Sequence, residues 1–165
     1  MHARLLKPPH GPQLRVEPLR DGDVRTVLQV FERLSDTSRR ARFHGPKPCL
    51  SDEELRQLAA VDGRHHALVA YVDGDPLPAA IARLVRVGER SAEVAFAVAD
   101  EYQHRGIGSA LTAELVADAR AAGINELTAL ASSDNPAALA LLRRTAKVLD
   151  IRREGPELSI RAAIA

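Results

Sequence analysis

The chain has no tryptophan, three phenylalanines, two tyrosines and one cysteine in 165 residues. The lone cysteine, Cys49, excludes an internal disulfide and fits a reducing compartment. With aromatics so scarce, the core must come from Leu, Val, Ile and many Ala. An excess of either charge is missing too: 23 Lys and Arg stand against 22 Asp and Glu, which argues against nucleic-acid binding driven by bulk charge. No apolar run approaches the ~20 residues of a membrane span, and Met1 to Lys7 lacks the apolar centre of a signal peptide. His65 and His66 alternate on a strand pattern with too few further ligands nearby, so no metal is expected. These absences lead to the expectation of a soluble, cytoplasmic chain without membrane or nucleic-acid partners.

What is present is patterned sequence sufficient for one domain, long enough to bury about two thirds of its unfolded surface. Residues 1–12, with three prolines and a glycine, read as a flexible tail, and 13–165 as a single domain. Leu14 to Leu19 alternates like a first strand, which Pro18 places at an edge or terminates. Asp21 or Asp23 can cap a helix with Val24, Val27, Leu28, Phe31 and Leu34 on one face. A basic segment, Ser38 to His44, and the breaker Gly45-Pro46-Lys47-Pro48 follow. Ser51-Asp52-Glu53-Glu54 is a capping box opening a short helix. His65 to Val72, Pro78 to Val87 and the stretch from Ser91 read as strands joined by turns at Asp73-Gly74-Asp75 and Gly88-Glu89-Arg90. Glu126 to Ala131 makes another strand, Pro136 suits a first helical position, and Val148–Arg153 with Leu158–Ile164 closes a hairpin about Gly155-Pro156. Meander strands leading into a helix crossover imply an α/β fold. Its central sheet is mixed and mostly antiparallel, with about six to seven strands flanked by about four helices.

The most informative stretch is Ser91 to Ala122. Glu93 to Val98 is short and apolar, a strand at least half buried. Ile107, Leu111, Leu115 and Ala119 recur four apart, the stripe of a helix lying on a sheet. Between them, Gln103-His104-Arg105-Gly106-Ile107-Gly108 is a glycine-bearing turn that opens the helix. Such a turn permits positive φ and close ligand approach, and the helix start offers spare N–H donors to a phosphate. A P-loop is excluded, because Ser109 and Ala110 stand where lysine and a hydroxyl residue are needed. The dinucleotide fingerprint places Glu126 suitably but would need a small residue at Leu111.

Q-x-x-G-x-G in this setting resembles the coenzyme A pyrophosphate loop of the GNAT superfamily of N-acetyltransferases. Asn135-Pro136-Ala137-Ala138-Leu139 is similar to the family's asparagine-led helix after the next strand, and the resemblance spans roughly Arg15 to Ile164. It implies the GNAT fold and acetyl-CoA as cosubstrate. The diphosphate would be held by the backbone of Gln103, His104, Arg105, Gly106, Ile107, Gly108 and Ser109, and the pantetheine arm by Asn135. It also implies backbone N–H donors for the oxyanion around Phe96 and Val98, where family members splay this strand at a bulge. Local chemistry gives Asn135 a second, compatible role as a helix cap.

A lysine ε-amine has a pKa of about 10.4, so only about one in a thousand is neutral at pH 7, and a positioned base matters. Glu93 is the candidate, sharing a strand face with Ala95, Ala97 and Ala99 while Val94, Phe96 and Val98 point the other way. The alternative for Glu93 is an exposed carboxylate near a strand start. Protein lysine acetyltransferases of bacteria, which this chain resembles, carry a glutamate at the matching place. They also share an R-x-x-R-F stretch with Ser38 to His44. The family tyrosine that serves as general acid corresponds to Leu142, so the acid is unassigned. The expected function is acetyl-CoA-dependent acetylation of a protein lysine, on substrates such as acyl-CoA synthetases. The alternatives are a small-amine or antibiotic acetyltransferase and a non-catalytic acyl-CoA sensor. Monomer and homodimer are both compatible with the sequence.

Overall fold

The computed structural model describes residues 2–164. One mixed sheet of eight strands runs β1-β2-β3-β4-β5-β6-β8-β7. Its strands are β1 Arg4–Leu6, β2 Leu14–Pro18, β3 His65–Val72, β4 Pro78–Arg86, β5 Ser91–Val98, β6 Glu126–Ser132, β7 Lys147–Glu154 and β8 Glu157–Ala163. The helices are α1 Val24–Glu32, α2 Asp36–Phe43, α3 Asp52–Ala59, α4 Ile107–Ala121 and α5 Ala137–Thr145. Every neighbouring pair is antiparallel except β5 and β6, which the α4 crossover makes parallel. The α/β class and the mostly antiparallel mixed sheet agree with the sequence. The count is one strand and one helix higher.

The extra strand is β1, inside the segment read as a tail. It pairs antiparallel with β2, and Leu6 packs on the main core. Arg4 fixes it to α4 by donating to Glu114 at 2.7 Å and Asp118 at 2.6 Å. Pro8, just beyond, is buried behind the glycine turn. A flanking proline pair hid a three-residue strand whose stability comes from its neighbours. β2 is consequently no edge, and Pro18 ends it.

The extra helix is α2, in the basic segment. Ser35 caps it, its side chain accepting from Ser38 N–H, and it buries none of its own residues. Elsewhere the local chemistry is as the sequence suggests. Asp23 caps α1 through Thr26 N–H at 3.0 Å. Ser51 and Glu54 form the reciprocal capping box of α3.

Two cores sit on the two sheet faces. The larger holds the α4 stripe, with Ile107, Leu111, Leu115 and Ala119 each at most 2% exposed, against Leu68, Leu84, Val94 and Leu127. The smaller joins α1 and α3 to Val69 and Ile81, with Ala97 packed against it. Strand β5 therefore shows Phe96 and Val98 to one core and Ala97 to the other, as its alternation requires.

Candidate active site

The sheet opens at its centre. β5 and β6 are paired only at Ser91–Glu126, Ala92–Leu127 and Glu93–Thr128, after which they diverge. On its other side β5 keeps continuous register with β4 from Arg86–Ala92 to Ala80–Val98. The expected bulge is thus absent from β5; β6 likewise keeps continuous register with β8, so the two halves of the sheet part between β5 and β6. Ala99 N–H bonds to Ala79 O, whereas Val98 O faces away from β4 and accepts from the Gln103 side chain. By strand alternation, the backbone groups of Val94, Phe96 and Val98 point into the gap. Val94 N–H serves the last rung with β6, at Glu93–Thr128, and beyond it the N–H groups of Phe96 and Val98 form a row of donors with no strand opposite.

The gap widens into a cleft of about 970 Å³, at the upper end of ligand-site volumes. Of the residues singled out from the sequence, Glu93, Phe96, Val98, Gln103, His104, Gly106, Gly108, Ser109 and Asn135 line it. Arg105 and Ile107 do not. Arg105 is exposed, its guanidinium 5.6 Å from the Tyr102 ring, and Ile107 is buried in the core with only its backbone at the turn.

The glycine turn is held from two directions. Gln103 Nε2 donates to Val98 O and to Ser38 Oγ, both at 3.0 Å, tying the turn to β5 and α2. His104 and Gly106 both lie in the left-handed region, at φ 60° and 78°. Gly106 caps α4 without any side-chain acceptor, so the first-turn N–H groups of α4 are free of side-chain caps. Gly108 has a different role from that expected of it, since its φ is ordinary. A Cβ there would sit 3.4 Å from Leu141 and 3.5 Å from Val98, at the floor of the cleft. The turn thus offers backbone donors and the positive end of a helix, an arrangement that suits an anion.

Asn135 lines the cleft and also caps α5, accepting from Ala137 N–H at 3.0 Å. Leu142 is fully buried. Tyr102 lines the cleft, but its hydroxyl donates to Asp75 at 2.7 Å, which raises its pKa. His65 and His66 are engaged with Asp62 and Asp118, and Cys49 is exposed and free.

Sequence reasoning missed three arginines around the cleft. Arg144 on α5 donates to Ser109 Oγ at 3.1 Å, placing a cation beside the turn. Arg33 joins Asp75 at 2.7 Å, accompanied by Glu101, and so pins the turn after β5 to α1. Arg42 lines the wall near Glu93. Arg42 falls in the R-x-x-R-F stretch, but its place beside Glu93 does not show there, and Arg33 and Arg144 have no local sequence signal, because each acts through residues distant in the chain. Glu93 itself is exposed, at the last paired rung before the strands part.

The pattern of the Acetyltransferase (GNAT) family matches residues 29–146. Acetyltransferase Pat of Mycolicibacterium smegmatis is 34% identical over 142 residues, covering 84% of this chain and 42% of that protein. A mycothiol acetyltransferase of Clavibacter sepedonicus is 32% identical over 159 residues, 95% of this chain and 46% of its own length. The chain therefore spans less than half the length of both. Among solved structures, the GNAT domain of S. lividans PAT superposes with a TM-score of 0.86 at 26% identity, covering 98% of this chain and 96% of that one.

Proposed function

The chain belongs to the GNAT family of acetyltransferases, and on that premise we propose that it transfers an acetyl group from acetyl-CoA to a lysine ε-amine of a protein. The observation that carries this reading is the splayed β5, with its donor row between an uncapped helix start and the exposed carboxylate of Glu93. The amides from Gln103 to Ser109 take the diphosphate, with Arg144 alongside, and Asn135 meets the pantetheine arm. The thioester then lies along β5 with its carbonyl oxygen toward the N–H groups of Phe96 and Val98. These donors are in place before charge develops on that oxygen, so they lower the barrier without reorganising.

Glu93 takes the proton from the incoming ammonium, and the neutral amine attacks the carbonyl directly. No acyl-enzyme is needed. The leaving thiolate has a pKa of about 8.5 as a simple thiol, so it departs without a general acid. That accords with a core leucine at position 142 and with the commitment of Tyr102 to Asp75.

Glu93→Gln tests the assignment. It should lower kcat about 100-fold or more at pH 7, with a smaller loss at pH 9 where more amine is already neutral, while acetyl-CoA affinity by calorimetry stays the same. A pH–rate profile parallel to that of the wild type would remove Glu93 as the base. A small amine is the second acceptor reading, supported by the mycothiol acetyltransferase relative. A parallel assay of lysine-bearing acyl-CoA synthetases and small amines separates the two.

A further inference from the structure

Two guanidinium groups near Glu93 carry charge that the described residues leave without a hydrogen-bonded carboxylate. Arg42, in the last turn of α2, lines the cleft, with its Cζ 4.9 Å from the Phe43 ring. Arg83 on β4 is only 6% exposed, and its Nη1 is enclosed without any partner. The register sets Arg83 opposite Ala95 and Val85 opposite Glu93, so Arg83 and Glu93 project from one sheet face. Arg42 reaches the same neighbourhood from α2, feeling repulsion from Arg83 and attraction to Glu93.

Loss of water around the half-buried Arg42, followed by the repulsion from Arg83, pushes its guanidinium down to about 10, and burial pushes Arg83 down as well. Asp62, the countercharge nearest in effect to Arg83, is already bound by the N–H groups of Arg64 and His65 and by the His65 ring. Two cations therefore share one free carboxylate. When Glu93 accepts a proton, that compensation vanishes too. A buried, unpartnered guanidinium is costly unless an anion completes it.

We infer that the acceptor end of the cleft binds a carboxylate carried by the acceptor itself, received by Arg42 with Arg83 supplying positive potential from behind. This rests on the proposed transfer with Glu93 as base. A guanidinium suits the task because its planar fork takes a carboxylate through two hydrogen bonds. In a protein acceptor the anion is an Asp or Glu next to the target lysine. In a free amine it is the carboxylate of an amino acid.

Four acceptors test it: two lysine peptides differing only by Glu or Gln beside the lysine, and free lysine against lysinamide. The wild type should favour the carboxylate-bearing member of one pair by about tenfold in kcat/KM, the gain of one charge-assisted contact. A preference within the peptides assigns the anion to a protein; one confined to lysine over lysinamide assigns it to a free amino acid. Arg42→Gln and Arg83→Met should each shrink that preference toward one, mainly through KM, with acetyl-CoA affinity retained. Arg83→Met replaces the buried charge with a flexible apolar side chain, and a urea unfolding curve checks that the variant is folded. As a readout independent of turnover, the Arg42 Nε–Hε resonance with coenzyme A bound should shift saturably with the Glu peptide or lysine and not with their uncharged counterparts. That shift without turnover would sink the proposed transfer and keep the subsite. Equal turnover within both pairs, a preference surviving in both variants, or no selective shift would overturn the subsite.

Discussion

Helices α4 and α2 flank the splayed strand β5, and different forces hold them there. α4 buries Ile107, Leu111, Thr112, Leu115, Val116 and Ala119 against the sheet. α2 buries nothing of its own and is fastened by polar contacts. Asp100 accepts from Ser35 N–H at 2.9 Å and from Ser35 Oγ at 2.6 Å at the start of α2, and Ser38 accepts from Gln103. Just upstream, Arg33 grips Asp75. The wall proposed for the cofactor is thus part of the core, whereas the wall proposed for the acceptor is surface chain held mainly by polar contacts, with Phe43 set edge-on against Phe31. Such a division suits a fold that keeps one donor and varies its acceptors, because surface residues change at little cost in stability.

The comparison can be broken in several ways, beginning with the largest effect. Gly108→Glu puts bulk and negative charge on the cleft floor beside Leu141 and Val98. It should abolish detectable acetyl-CoA association by calorimetry, and retained affinity would contradict the proposed cofactor site. Leu115→Ala removes a fully buried side chain from the α4 wall and should cost about 3 kcal/mol of stability in urea unfolding. On the other wall, acid is the probe. Leu77 N–H, Arg33 and Tyr102 together hold Asp75 down to about 2. A depressed carboxylate stabilises the fold fully above its unfolded pKa near 4 and loses that contribution as pH falls toward 2. Asp75→Asn should therefore flatten the acid limb of stability between about pH 4 and 2, seen as urea midpoints that fall less than those of the wild type. The smallest effect belongs to Arg40→Ala on exposed α2, which should change stability by less than about 0.5 kcal/mol. A larger loss would mean that α2 is anchored by more than its polar ties.

Legibility in the sequence follows the same division. The α4 stripe, the glycine turn, the capping box and seven strands are local patterns of period or cap, and each was readable. β1 escaped because Arg4–Leu6 is too short to show a period and owes its place to Arg4 reaching α4. α2 escaped because a helix with no buried face leaves no stripe; only Ser35 and its basic last turn marked it. At the site, the alternation of β5 placed Glu93 opposite in sense to Phe96 and Val98, and nine of the predicted residues line one cleft. The expected bulge was a feature of the resemblance, and the opening comes instead from β5 and β6 parting after the Glu93–Thr128 rung.

By itself, the sequence determined the glycine turn, the crossover helix behind it and the strand that presents a carboxylate, because each depends on neighbours within a few positions. The tertiary structure alone decided that β5 and β6 part, that Arg144 stands beside Ser109, and that Arg42 and Arg83 converge near Glu93. The β5–β6 rungs, the Arg144–Ser109 contact and the approach of Arg42 to Arg83 each join residues 35 or more positions apart. Only chain packing, through sheet order and the electrostatics of buried charge, brings such residues together.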